Sequence, residues 1–526
     1  MDWSELIIKL LGSHGFDHIF IAPGARSTPL ARAAMKQGNY VVHFDERSLA
    51  FAALGVSKTK QHKAIVIVTS GTAVGNLLPA VMEASLSFIS LILLTADRPY
   101  ELRETSANQT VDQVKVFSNF TRWHFDIPAP NRCIQSNWLV STIAYAAFKA
   151  KDGPVHLNCM FREPLTTYMI EPPKLKSKYV VNGSEINWHV DWHEKGVFII
   201  SEEMDEESFE FVIRLAQRLQ WPILVEILCV ARSQYKHGYV IPYHEMQQEL
   251  PLPYMIIQFG DRLISNGLVD FIKKTQEYIV VSQSPFRIDA HLAVTTRIVS
   301  HAKYVVKSWL EKVTQKENKQ WLRLWQHFNV CGGYRLRKYF GRENKLSEPG
   351  IIRECFQHAK PVMFVGNSMP IRDANKFVEC DHEKHEVHVF ANRGVSGIDG
   401  NLATSMGVSY ALKKPCMCIV GDLAFLHDIN SLHLLRHWQV CVVVINNNGG
   451  GIFSFVPNMV MHGAHNYDNF AHLARQFDFG YDDISNGYEL KQCLTNTQGA
   501  HLIEIKTDRD QNWFLHKQLE KYVTQR

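Results

Sequence analysis

Two apolar runs in the last third of the chain end in oxygen-bearing residues. Cys416 to Val420 leads into Gly421-Asp422, and Cys441 to Ile445 leads into Asn446-Asn447-Asn448-Gly449, with Asn447 standing 25 positions after Asp422. A carboxylate, an amide oxygen and a following backbone carbonyl are hard ligands. They suit Mg²⁺, which seeks octahedral oxygen coordination and completes its shell with phosphate and water. Glycines beside them let the backbone approach a diphosphate. Either segment alone is an ordinary turn former; two of them, each following a hydrophobic strand, favour a metal–diphosphate site. Near the other end, Tyr40 to Phe44 is followed by Asp45-Glu46-Arg47 and a small-residue helix with Ala50, Ala52, Ala53 and Gly55. Acids in a first helical turn are expected from the helix dipole alone. Four arginines, Arg26, Arg98, Arg372 and Arg393, fall in loop-like positions after apolar runs. Singly each reads as a structural ion pair, but the planar guanidinium fork also binds carboxylates bidentately.

These residues need elements that present them. Phe16 to Ala22, Tyr40 to Phe44, Ala64 to Thr69 and Leu91 to Thr95 read as buried strands, each ending in polar or glycine-containing residues and leading toward a helix. A second series contains Gly196 to Ile200, Ile223 to Ile227, Met255 to Phe259 and Tyr278 to Val281; a third contains Pro361 to Val365, Val387 to Ala391, Cys416 to Val420, Cys441 to Ile445 and His501 to Ile505. This alternation predicts three doubly wound α/β domains, spanning 1–170, 190–335 and 345–526. A polar stretch from Thr166 to Lys195 reads as a linker, and Cys331-Gly332-Gly333 with the charged segment after it as a second boundary. In such sheets ligands bind beyond the carboxyl ends of the strands, where the chemistry-bearing residues stand.

The bulk properties narrow the class. At 526 residues, 46% hydrophobic and 21% charged, the chain is an ordinary multidomain globular protein. Its 56 basic and 52 acidic residues leave a net charge of +4 without a basic block, so a nucleic-acid footprint is not supported. The longest apolar stretch, Ser85 to Ala96, is far short of the ~20 residues that span a bilayer, and Met1-Asp2-Trp3-Ser4-Glu5 lacks the basic start of a signal peptide. Ten cysteines without CxxC pairs argue against a disulfide framework or a structural zinc site and for a reduced, cytoplasmic setting.

Gly421-Asp422 with Asn446-Asn447 resembles the Gly-Asp-Gly…Asn-Asn signature of thiamine diphosphate enzymes, with Leu423 in place of the final glycine. The wider set is Ala22 through Pro29, Phe44-Asp45-Glu46-Arg47, Ser70-Gly71-Thr72-Ala73, Ala96-Asp97-Arg98-Pro99, Ala107-Asn108-Gln109, Gly366 through Arg372, and Asn392-Arg393-Gly394 through Gly400. It is similar, in order and joint spacing, to the MenD family of menaquinone synthesis, the 2-succinyl-5-enolpyruvyl-6-hydroxy-3-cyclohexene-1-carboxylate synthases. The likeness covers both ends of the chain and is weakest from Thr166 to Asn344.

The resemblance implies thiamine diphosphate with Mg²⁺ (or Mn²⁺) on Asp422, Asn447 and the Gly449 carbonyl, with Gly421, Ile452, Phe453 and Val456 against the cofactor. It implies that Glu46 activates the cofactor by a hydrogen bond to N1′ of its aminopyrimidine. The first domain would then bind the pyrimidine and the third the diphosphate. Substrate carboxylates, from 2-oxoglutarate and isochorismate, fall to Arg26, Arg98, Arg372 and Arg393, with Asn108, Gln109 and Ser368 as polar contacts. The implied assembly is a homodimer or homotetramer with its active site between subunits. No histidine is required, and His43 reads as a packed residue. Two departures bear on the acceptor: Ala25 stands where the family has serine, and Asn266, with Arg262 nearby, where it has lysine. They motivate the alternative of a carboligase or decarboxylase that pairs 2-oxoglutarate with another acceptor. A catalytically silent cofactor-binding protein is the alternative from another class, and the intact Glu46 argues against it.

Overall fold

A computed structural model describes the protein at all residues other than 1, 167, 174–175, 178, 180–187, 230–231, 233–237, 245–250, 288, 317, 342–345, 379–386, 459–462, 464, 466 and 525–526. Its frame is three parallel sheets of six strands. The first contains β1 (Phe16–Ile21), β2 (Tyr40–Val42), β3 (Lys63–Val68), β4 (Leu91–Asp97), β5 (Trp123–Ile127) and β6 (Pro154–Met160). The second contains β7 (Gly196–Ile200), β8 (Ile223–Val225), β9 (Val240–Ile241), β10 (Met255–Phe259), β11 (Glu277–Ser282) and β12 (Thr296–Val299). The third contains β13 (Val362–Val365), β14 (His388–Phe390), β15 (Cys416–Gly421), β16 (Val440–Asn446), β17 (Gly480–Ile484) and β18 (His501–Lys506). The central strands β4, β6, β10 and β16 are buried along their whole length. β16 reads as the continuous apolar run expected of a strand covered on both faces, whereas β6 buries His156 and Asn158 and β10 buries Gln258. The three-domain α/β expectation holds.

Strand order decides where a site can form. The first sheet runs β2-β1-β3-β4-β6-β5 and the third runs β14-β13-β15-β16-β18-β17, which is the same permutation. The middle sheet, β12-β11-β10-β7-β8-β9, has the dinucleotide-fold order read from its far edge. In the first and third sheets the order reverses between the first and third strands, so a crevice opens beyond β1/β3 and beyond β13/β15. The loops at those crevices carry Gly24 to Ser27 and Ser70-Gly71 in one sheet, and Gly366 to Ser368 and Gly421-Asp422 in the other.

The first and third sheets share one continuous core. It joins Val66, Val68, Leu49 and Ala53 to Ala403, Met406, Cys418 and Val420, whereas the middle sheet packs separately around Phe198, Trp221, Ile257 and Trp325. The join is the crossing of helix Glu46–Lys58 over helix Asn401–Leu412, the helices that follow the second strand of each sheet. A Cβ on Gly55 would lie 2.2 Å from the Thr404 carbonyl oxygen, and one on Gly407 would lie 2.0 Å from that of Ala52. Only glycine permits this approach, because the obstacle on each side is backbone. The expected break at Cys331-Gly332-Gly333 is not one: these residues lie inside the continuous helix Lys319–Phe340. Gly332 and Gly333 are buried there, and a Cβ on Gly333 would press to 2.9 Å from the Tyr243 ring. The glycine signal reports close packing at that point. Of the expected linker, 180–187 lies outside the described residues.

Because Gly407 meets backbone, Gly407→Val is expected to cost about 1–3 kcal/mol or more through overpacking. Urea denaturation should show a lowered midpoint with an unchanged slope; a wild-type midpoint would mean the two helices can separate freely.

Candidate active site

Asp422 and Asn447 come together beyond the ends of β15 and β16. Asp422 is 2% exposed; its Oδ1 accepts from the Leu423 amide at 2.7 Å and its Oδ2 from the Gly449 amide at 2.7 Å. Asn447 donates through Nδ2 to Glu348 Oε1 at 2.9 Å. That bond fixes the orientation of the amide and leaves Oδ1 buried without a partner. A buried acceptor without a donor is costly, and a cation is the partner that an amide oxygen beside a carboxylate fits. Glu348 is itself held by Thr507 Oγ1 at 3.1 Å and Asn512 Nδ2 at 3.0 Å, and burial, then Asp373, push its pKa up to about 7. The Gly449 carbonyl is less free, since it accepts from Arg509 at 2.9 Å. Asn448, Gly449 and Gly450 all have positive φ, which bares their backbone as a turn. A Cβ at Gly421 would meet nothing within 4 Å, so open space borders the turn. Ile452 and Phe453 are half-buried and Val456 is 49% exposed. They line a surface instead of filling a core.

The arginines form two groups. In the first sheet's crevice, Arg26 is buried and donates to the Phe161 carbonyl and to Glu163, each at 2.9 Å. Arg98, also buried, donates to Ser70 Oγ and to the Asn108 carbonyl. Gln109 Nε2 donates to the Ser70 carbonyl at 2.8 Å, so Ser70, Arg98, Asn108 and Gln109 form one cluster. Burial, and then the charge of Arg26, lower the pKa of Arg98. In the third sheet, Arg372 donates to the Ser368 carbonyl at 2.5 Å and Arg393 to Asn367 Oδ1 at 2.9 Å. Ser368 has φ 75°, a strained conformation for a non-glycine residue and one found disproportionately at functional sites. Burial lowers the pKa of Arg393, followed by Arg372; Glu226 and Glu83 oppose, and Arg262 adds to the lowering. Glu46 opens its helix with Asp45 as cap, and accepts from Asn76 Nδ2 at 3.1 Å. His43 is buried with both ring nitrogens unpartnered, and desolvation takes its pKa to about 4, so near neutral pH it is a packed, uncharged ring.

The profile described as "Thiamine pyrophosphate enzyme, N-terminal TPP binding domain" matches residues 1–116, "Middle domain of thiamine pyrophosphate" 168–353, and "Thiamine pyrophosphate enzyme, C-terminal TPP binding domain" 373–505. The protein named 2-succinyl-5-enolpyruvyl-6-hydroxy-3-cyclohexene-1-carboxylate synthase in Rubrobacter xylanophilus is 35% identical, over 98% of this chain and 97% of that protein. Those of the same name in Bacillus pumilus and Salinibacter ruber are 34% and 32% identical, over 96% and 99% of this chain and 94% and 96% of theirs. This chain belongs to that synthase family.

Several residues of this synthase-family site were not legible as such in the sequence. His465 is half-buried with Nε2 3.2 Å from Asp422 Oδ2, although no histidine was required. Glu348 orients Asn447 from 99 positions away in the chain. Glu83, 1% exposed, accepts from the amides of Gly394 and Val395 at 2.9 and 2.7 Å and thereby ties the loop after Arg393 to the first domain. No local motif marks any of the three. At the departures, Ala25 is exposed beside Arg26. Asn266 is an exposed helix N-terminal residue that makes no capping bond. Arg262 is the residue of that loop whose charge reaches Arg393, and Glu226 holds the loop through the amides of Ile264 and Ser265.

Glu83 also lies 3.8 Å from the half-buried Lys58, whose pKa is lowered by desolvation and raised again by Glu83. Glu83→Ala therefore frees the Arg393 loop and removes the larger of the two acid charges that act on the Lys58 ammonium. It is expected to cost about 3–5 kcal/mol in chemical denaturation, part of it recovered by Lys58→Met in the same chain. An unchanged stability would remove Glu83 from this role.

Proposed function

We infer that this chain catalyses the reaction its relatives are named for, joining a succinyl unit from 2-oxoglutarate to isochorismate with release of CO₂. The carrying observation is two arginine clusters, Arg26 with Arg98 in the first domain and Arg372 with Arg393 in the third, the domain that also carries Asp422 and Asn447. Both substrates are dicarboxylates, so the pocket has four carboxylates to neutralise. Arg26, Arg98, Arg372 and Arg393 supply that charge, with Arg262 as a fifth cation on the acceptor side. Each guanidinium is already oriented by a carbonyl, a carboxylate or an amide, and such pre-ordering lowers the entropic cost of gripping a substrate. Asn108, Gln109 and Ser368 add polar contacts. Arg cations facing the carboxylates also bias binding toward the fully ionised substrates.

Thiamine diphosphate, when bound, supplies the nucleophilic carbon and the electron sink for decarboxylation. Asp422, Asn447 and the Gly449 carbonyl would hold Mg²⁺ (Mn²⁺ can substitute) against its diphosphate, with Gly449 released from Arg509. Gly421 leaves room for the diphosphate, while Ile452, Phe453 and Val456 support the ring. Glu46 hydrogen-bonds N1′ of the aminopyrimidine and holds or returns the proton there. On this reading 1–170 binds the pyrimidine, 345–526 the diphosphate, and 190–335 contributes the Arg262 loop.

The assembly is a homodimer or homotetramer in which Glu46 of one copy serves the diphosphate-binding domain of another. Supporting this, the β2 edge beside Glu46 exposes Tyr40 (39%), Val42 (47%) and Phe44 (61%), an apolar strip that a second subunit would cover. No helix among the described residues is long and apolar enough to cross a membrane, and we place the enzyme in the cytoplasm.

Purified protein with Mg²⁺, thiamine diphosphate and 2-oxoglutarate should consume isochorismate and yield the succinylated product by mass. CO₂ release without isochorismate loss would instead point to another acceptor. Glu46→Gln is expected to retain cofactor binding and lose at least ~100-fold in turnover; wild-type turnover would overturn the assignment. In sedimentation the active species should be a dimer or larger, and an active monomer would refute the shared site.

A further inference from the structure

Well away from the arginine crevices, at the outer edge of the third sheet, a carboxylate, a thiol and an imidazole converge. Asp482 lies on the edge strand β17, His501 opens the neighbouring strand β18, and Cys493 lies on the helix Gly487–Asn496 that joins them. The strand register pairs Gly480 with His501, so Asp482, two residues along, shares the face from which the imidazole projects. His501 Nε2 is 2.7 Å from Asp482 Oδ2, Cys493 Sγ is 3.2 Å from the same oxygen, and all three donor atoms lie within 4.8 Å of one another. The ring has its place because residue 480 is glycine: a Cβ there would stand 2.2 Å from His501 Nδ1.

We propose that Asp482, Cys493 and His501 form a binding site for a borderline-soft divalent cation, Zn²⁺ in the first instance, separate from the Mg²⁺–diphosphate site. Thiolate, imidazole and carboxylate are the three donor types that tetrahedral zinc takes, at roughly 2.0–2.3 Å. Donors at those distances sit roughly 3.3–3.6 Å from one another, so the cluster has to widen by about 0.6 Å at the Asp482–His501 pair, now 2.7 Å, and by about 0.3 Å at the Cys493–Asp482 pair, now 3.2 Å. A hard cation has little use for the sulfur, whereas a softer one is selected by it. The donors are separated as 482, 493 and 501 and form no CxxC pair, which is why cysteine spacing alone argues against zinc.

Binding balances simply. The Cys493 S–H bond breaks as the S–metal bond forms, and that proton leaves to solvent. His501 gives up to solvent the Nε2 proton that it shares with Asp482, keeps or takes from solvent one proton on Nδ1, and gives the freed Nε2 lone pair to the metal. Asp482 exchanges its two hydrogen bonds for a metal bond. The fourth position falls to water. Thr497 Oγ1, 3.4 Å from the sulfur, lies beside the cluster. Lys360, which donates to the Thr497 carbonyl at 3.3 Å, is the neighbouring cation that opposes the metal. The product is a clamp that pins the edge strand and its helix to the sheet.

The test uses the full-length enzyme, stripped with chelator, returned to Mg²⁺ and titrated with Co²⁺ as the optical probe for Zn²⁺. One equivalent should bring up a near-ultraviolet thiolate-to-cobalt charge-transfer band with visible bands of four-coordinate strength, and Zn²⁺ should bleach both. Cobalt at Asp422/Asn447, or at the thiol-free group Asp17, His18 and His62, gives no thiolate band. Cys493→Ser should abolish the band, and His501→Gln should weaken binding at least tenfold. Zn²⁺ should raise the melting temperature of wild type but not of Cys493→Ser, whose metal-free melting temperature controls for folding. No band in wild type, or a band that survives in Cys493→Ser, overturns the proposal.

Discussion

Much of the architecture rests on one steric condition, the contact of two helix backbones at Gly55 and Gly407. Helix packing is normally mediated by side chains, with axes 8–10 Å apart. Here each glycine faces a carbonyl oxygen of the other helix at a distance that excludes any Cβ. The consequence reaches past the contact. The two helices belong to different sheets, and their approach merges what would be two cores into one. Helix Glu46–Lys58 begins at Glu46 itself, and the loop before helix Asn401–Leu412 carries Arg393. The contact therefore holds Glu46 and Arg393, which come from two domains, in one rigid frame. Hydrogen bonds at the start of the first helix tie it further to the third domain, with Arg47 donating to the His427 carbonyl at 2.8 Å and Asn430 to Asp45 at 2.9 Å.

A second theme is how so much positive charge is held together before any substrate arrives. Arg26 has Glu163, and the loop around Arg393 has Glu83 and, further off, Glu226. Asp97 caps the Arg98 amide at 2.7 Å and pairs with Arg103 at 3.1 Å. None of these acids saturates its arginines. Arg393, in the third domain, is bonded to a neutral amide, and Arg98, in the first, to a hydroxyl and a carbonyl. Buried charge held by dipoles instead of by counter-ions is expensive, and a carboxylate ligand relieves that cost.

The sequence was most legible where one residue's chemistry and its local pattern coincide. Most buried strands are apolar runs, so the three sheets could be anticipated, but β6 is interrupted by His156 and Asn158 and was missed together with β5, β9, β12 and β17. Asp422, Asn447, Arg26, Arg98 and Arg393 stand past strand ends as expected, whereas Glu46 opens a helix and Arg372 lies within the helix Met369–Phe377. What escaped was anything that depends on two distant segments meeting. Glu348 and Asn447, Glu83 and Gly394, and His465 and Asp422 are pairs without a periodic signal. Gly332-Gly333 failed for the opposite reason, because a strong local signal for a break was overruled by tertiary packing against Tyr243.

The shared strand order of the first and third sheets has a consequence in evolutionary terms. Two six-strand units of the same connectivity, folded against each other through corresponding helices, are what duplication of an ancestral α/β gene followed by fusion would leave. Corresponding loops then diverged: the one after the second strand carries an acid in one copy, Glu46, and a base in the other, Arg393. The middle sheet, with a different order, does not share that connectivity. Divergence of this kind alters loop chemistry while the glycine-to-backbone crossing stays under constraint. Change in substrate should then be easier to evolve in this architecture than change in how its halves meet.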